Sequence, residues 1–140
     1  MEKNVNEQGG FDFVKMVADY MEEGLLDNIL AMLRVDKAEY RIIGKLITDE
    51  RIRVRLGTTA LVEILTEEEP ENIKLAGPSI IKSLSHEDPT IRGDAANLLG
   101  IIGYKEAVPV LEAMLQEENE PAVKEMIKEA LDSIATAKIQ

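Results

Sequence analysis

Apolar and polar positions alternate along most of this chain with the period of an α-helix, and one five-position apolar pattern occurs three times. Val54, Thr58, Leu61, Val62 and Leu65 recur as Ile91, Ala95, Leu98, Leu99 and Ile102, and again as Val123, Ile127, Ala130, Leu131 and Ile134. In each copy the five positions fall on one side of a helix that turns about 100° per residue. A basic residue, Arg55, Arg92 or Lys124, follows the first position of each copy. Spacings of 37 and 32 residues are those of supersecondary units that cannot bury an apolar face alone and stack on their neighbours. The expectation is an all-α helical solenoid.

Punctuation divides the rest into helices. Phe13, Met16, Val17, Tyr20 and Met21 form a stripe that ends at Gly24, and Leu26, Ile29, Leu30 and Leu33 form a second. Asp36 followed by Glu39 reads as a capping box opening a helix through Tyr40, Ile43, Gly44 and Ile47. The Val54 helix runs to about Leu65 and is followed by the acidic, proline-bearing connection Thr66 to Glu71. The helix carrying Ile73, Ile80, Ile81 and Leu84 is expected to bend or restart at Pro78. Asp88-Pro89 and Glu120-Pro121 are start signals, and Gly103 suits a C-terminal stop. A short connection leads to Val108, Leu111 and Leu115, and the last helix fades into polar Thr136 to Gln140. The count is eight helices in four antiparallel pairs. Residues 1–10 read as a disordered tail and 11–140 as one domain, with an atypical pair at 11–34 and repeats at 37–65, 71–103 and 105–137.

The stretch from Asp88 through Ile91, Arg92, Ala95, Leu98, Leu99 and Gly103, followed by Ala107 to Leu111 and Leu115, resembles a short HEAT-like repeat of the type found in phycobilin lyase relatives. The likeness is strong for 76–134 and extends back to about 37 through Ile42, Ile43, Ile47, Asp49, Val54 and Arg55. It implies a right-handed α-α superhelix whose second helices line the concave face, with 11–34 as a terminal cap. It also implies an acidic residue six places before each basic one, forming a hydrogen-bonded ladder between neighbouring repeats. Asp49 and Glu118 match that position; His86 departs from it, and Asp88, four residues before Arg92, is the expected substitute.

Composition narrows the function. The 140 residues carry a net charge of −11, no cysteine and one histidine. Cysteine-free chains form no disulfide and no thiolate metal site, which suits a reducing, cytoplasmic setting. The polar first ten residues lack the apolar core of an export signal, and apolar runs are too short for a membrane span. The acidic balance opposes phosphate backbones, making nucleic acid an unfavoured partner. Arg41, Lys45, Arg51, Arg53 and Arg55 are the one basic concentration, with Asp49 and Glu50 among them. Glu67, Glu68, Glu69 and Glu71 read as a solvated loop or a patch for a basic partner. A lone histidine leaves no imidazole pair for a metal or proton relay, so His86 is read as a loop residue and no catalytic residue, metal or cofactor is assigned.

The positions opposite the core side are the candidate partner surface. They form three columns: Leu56, Ala60 and Glu63; Gly93, Asn97 and Gly100; Glu125, Glu129 and Asp132. Two glycines on one helix cost about 1 kcal/mol each relative to alanine, so they require a reason. Either a partner's backbone approaches around Asn97, or Gly100 allows tight helix packing. Phe11, Phe13, Met16, Tyr20, Met21 and Met32 read as core, with a homodimer through the N-terminal helices as the other possibility. The sequence thus points to a non-enzymatic scaffold binding a protein or peptide on its concave face, with a basic partner the one its acidic last column favours. An accessory or catalytic subunit for chromophore or cofactor attachment is the alternative suggested by the lyase likeness.

Overall fold

The computed structural model describes residues 12–137, so the tail expected at 1–10, Phe11 and the last three residues lie outside it. Within that span the chain forms eight α-helices and no strand. They are α1 (Phe13–Glu22), α2 (Leu26–Val35), α3 (Ile43–Leu46), α4 (Ile52–Glu68), α5 (Gly77–Ser83), α6 (Pro89–Ile102), α7 (Val108–Glu117) and α8 (Pro121–Ala137). This is an all-α solenoid.

The helix ends follow from identifiable residues. The Asp12 carboxylate accepts the Lys15 N–H to open α1, and Asp88 accepts Thr90 N–H to open α6 with Pro89 in the first turn. Gly24 and Gly103 adopt φ of 81° and 74°, the left-handed conformation that closes a helix without Cβ strain. At Asp36 the structure departs from the expected capping box. Its carboxylate takes Ala38 N–H and its carbonyl takes Glu39 N–H, closing a tighter turn, so Lys37–Ile42 is 3-10 helix and α3 starts only at Ile43. The helix expected over Ile73 to Leu84 is likewise a 3-10 run, Asn72–Ala76, followed by α5 with Pro78 in its first turn.

The second helices, α4, α6 and α8, carry the repeated pattern. All of its positions are buried except Leu131, which is half-buried. Thr58 is fully enclosed, and its hydroxyl donates to the Val54 carbonyl one turn back. The core is continuous from Val17 and Met21 of α1 to Ile134 of α8. Phe13, Met16, Tyr20 and Met32 are partly buried against it, so the N-terminal stripe contributes to the core.

Small residues decide which layer closes at each junction. Between α3 and α5 the contact centres on Gly44, where any Cβ would strike the Ser79 backbone. Gly44 N–H donates to Ser79 Oγ at 3.1 Å, and Ser83 Oγ donates to the Gly44 carbonyl at 2.8 Å. Between α6 and α8 the close contact belongs to the other layer. A Cβ on Gly100 would lie 2.9 Å from Ala130 Cα, and one on Gly93 would lie 3.5 Å from Met126 Cγ. There the first helices separate, leaving a cavity of about 850 Å³ between α5 and α7.

Candidate docking faces

The connection before each second helix is built to one plan. Asp49 Oδ1 accepts Arg51 N–H at 2.9 Å, His86 Nδ1 accepts Asp88 N–H at 3.0 Å, and Glu118 Oε2 accepts Glu120 N–H at 3.1 Å. His86 therefore supplies the same acceptor as the two carboxylates that match the family position. Arg55 donates to the Asp49 and Glu50 carbonyls, and Arg92 donates to those of His86 and Glu87. The bond runs to the backbone six residues back, so the side chain there is free to vary.

Each arginine also crosses to the next repeat. Arg55 Nε lies 3.3 Å from Asp94 Oδ2, and Arg92 grips Glu118 with two bonds of 3.0 and 2.8 Å. Three expected rungs are corrected. The Asp49 carboxylate pairs with Arg51, which lies nearer in the turn and reaches on to Asp19. Asp88 does not replace His86, because its carboxylate is held by Thr90 N–H at the helix start. Lys124 is exposed and has no ion-pair partner among the described residues, since Arg92 already holds Glu118.

Charge and burial shape these groups. Hydrogen bonds from Arg92, and then the Glu120 and Asn119 N–H groups, hold the Glu118 carboxyl below its ordinary range despite a side chain only 4% exposed. Arg51 does the same for Asp49, and is itself held protonated by Asp49 and Asp19. Asp94 moves the other way: desolvation pushes its carboxyl up, outweighing the attraction of Arg55. These pairs splice repeats together and take up two of the five residues of the basic cluster. Arg51 and Arg55 are committed, whereas Arg41, Lys45 and Arg53 remain exposed.

The three columns do not form one floor. Leu56 is 64% exposed, Glu63 is exposed and Ala60 half-buried. Gly93 and Gly100, expected to face outward, are buried because α8 packs onto that side of α6, and Asn97 between them is half-buried. Glu125, Glu129 and Asp132 are exposed on α8. Sequence reasoning missed Ile52, 63% exposed, which lies one turn before Leu56 on the same column. The signal was present, but the helix start had been set at Val54. Also missed was a cleft of about 700 Å³ between α4 and α6, where Glu63, Thr66, Glu67 and Glu68 surround Ile64 and Ile101. In the acidic connection, Glu68 pairs with Arg34, Glu69 with Lys37 and Glu71 with Lys74, while Glu67 stays exposed.

Stacked helix pairs joined by small-residue contacts and an arginine ladder define an α-helical repeat protein. Residues 73–132 match the family model of HEAT repeats, so that part of the chain is similar to HEAT repeats. No curated protein and no solved structure matches it. No helix among the described residues is long and apolar enough to cross a membrane, and none of their His, Asp or Glu side chains are grouped to hold a metal ion.

Proposed function

We propose that this chain is a non-catalytic protein-binding module that docks a partner segment along α4. The observation that carries the proposal is one ridge of that helix. Ile52 and Leu56 expose large apolar side chains on a line that continues through Ala60 to Glu63 and Glu67 at the acidic cleft. Apolar anchors beside a rim of one charge suit a partner with bulky apolar residues followed by Lys or Arg. Glu125, Glu129 and Asp132 on α8 extend the acidic character. The charges accelerate encounter and select partners, while the apolar pair sets residence time.

The test is Leu56→Asp combined with Glu63→Lys. Both positions are exposed, so the melting temperature is expected to stay within a few degrees of wild type, whereas partners recovered from the native host by affinity purification are lost. A folded variant that keeps every wild-type partner would exclude this ridge as the docking face.

A further inference from the structure

On the opposite layer, a second cavity of about 440 Å³ lies between the start of α1, the Lys37–Ile42 turn, α3 and α5. Its rim carries Arg41, Lys45 and Lys82, all exposed. Elsewhere Lys15, Arg34, Lys37, Arg51, Arg55, Lys74 and Arg92 have carboxylate partners, while Arg53, Lys105, Lys124 and Lys128 are exposed without one among the described residues and line no shared cavity with one another. Among the described residues none of the three rim cations has a carboxylate partner, and Glu39 is the only carboxylate lining the cavity.

The interior has a different chemistry. Val14 and Ile42 contribute apolar surface. The Ser79 hydroxyl accepts Gly44 N–H and donates to the Ala76 carbonyl, and Ser83 donates to the Gly44 carbonyl. The His86 Nδ1 acceptor is used by Asp88 N–H. The serine hydroxyls and the His86 Nδ1 of the wall are thus engaged within the protein, which leaves a ligand mainly apolar surface beneath a rim where three cations outnumber the single Glu39 carboxylate. Three uncompensated cations on a chain of net charge −11 attract a local negative charge that the rest of the surface repels.

We infer that this cavity docks a linear segment of another protein in which Asp or Glu residues flank one bulky apolar side chain. The apolar residue enters between Val14 and Ile42, and the carboxylates meet Arg41, Lys45 and Lys82. With the α4 ridge selecting basic segments, the two layers would engage partners of opposite charge.

The probe is a library of random linear peptides displayed on phage, selected against the full chain. Enriched peptides are then synthesised with a fluorophore and titrated by polarisation. The inference expects an Asp/Glu-rich consensus around one Leu, Ile or Phe, with affinity falling as salt rises. Arg41→Glu with Lys82→Glu should weaken binding by at least about tenfold, mainly through the on-rate. Lys105→Glu with Lys128→Glu changes net charge equally and should leave binding intact, as should Leu56→Asp with Glu63→Lys, which separates this site from the α4 ridge. Should the rim reversal unfold the chain, Lys45→Gln gives the same reading at one position. Enrichment of basic or uncharged peptides, or equal weakening by both charge-reversed pairs, would overturn the inference. So would sedimentation with phosphatidylserine vesicles that the rim variant abolishes, since that assigns the cavity to a lipid surface.

Discussion

Two glycines of α6 lie seven residues apart and should respond to alanine with opposite signs. Both are helical and buried beneath α8, so each substitution gains about 1 kcal/mol of helix propensity. At Gly93 the new Cβ sits 3.5 Å from Met126 Cγ, an ordinary contact with a flexible side chain. Gly93→Ala should therefore stabilise by about 0.5–1 kcal/mol. At Gly100 the Cβ would lie 2.9 Å from Ala130 Cα and 3.2 Å from its Cβ. The first of these belongs to the backbone of a packed helix, so α6 and α8 must part, at a cost of about 1–3 kcal/mol typical of overpacking. The propensity gain offsets part of this, leaving a net loss of about 1 kcal/mol and a gap of about 2 kcal/mol between the variants. Urea unfolding followed by circular dichroism, with slopes checked for equality, measures both. A double-mutant cycle adding Ala130→Gly should recover part of the Gly100→Ala loss, because it removes one of the two clashing atoms. A Gly100→Ala midpoint equal to or above that of Gly93→Ala would refute the claim that backbone approach requires this glycine.

Three further outcomes follow from the core and the ladder. Leu99 is fully enclosed, so Leu99→Ala should cost about 2–5 kcal/mol through cavity formation, against almost nothing for exposed Lys128→Ala; equal urea midpoints would sink the repeat register. Arg92→Ala strands the nearly buried Glu118 carboxylate and should cost about 1–3 kcal/mol, whereas Lys15→Ala breaks an exposed, solvent-screened pair with Asp19 and should leave the urea midpoint almost unchanged. Arg92 depresses the Glu118 carboxyl, so its stabilisation is complete above the unfolded-state value and disappears as pH falls through the folded one. Thermal melts of Glu118→Gln should consequently lose less stability than wild type between neutral and acid pH; parallel pH profiles would show that the pair contributes nothing. His86→Asp replaces one i+2 acceptor by another, so its melting temperature at neutral pH should be equal or slightly higher, and a clear drop would give the imidazole another duty.

Periodicity and punctuation are local properties, and they carried the repeat frame, the cap at Asp88, and the stops at Gly24 and Gly103. A run such as Val54, Thr58, Leu61, Val62 and Leu65 has only one face to bury, whatever it packs against. Distances between elements are not local. Gly93 and Gly100 appear outward when α6 is drawn alone; they are inward because α8 carries Ala130 and Met126 where it crosses them. Arg51 outcompeted Arg55 for Asp49 because the turn before α4 brings it closer, and Asp94, never paired with Arg55 in the sequence reading, comes within reach only when α6 docks on α4. The two candidate surfaces have the same origin. Leu56 was legible from its column, but the acidic cleft and the basic cavity exist because adjacent helices close at one place and separate at another. That spacing depends on side chains from both partners at once, which a pattern along one chain segment does not contain.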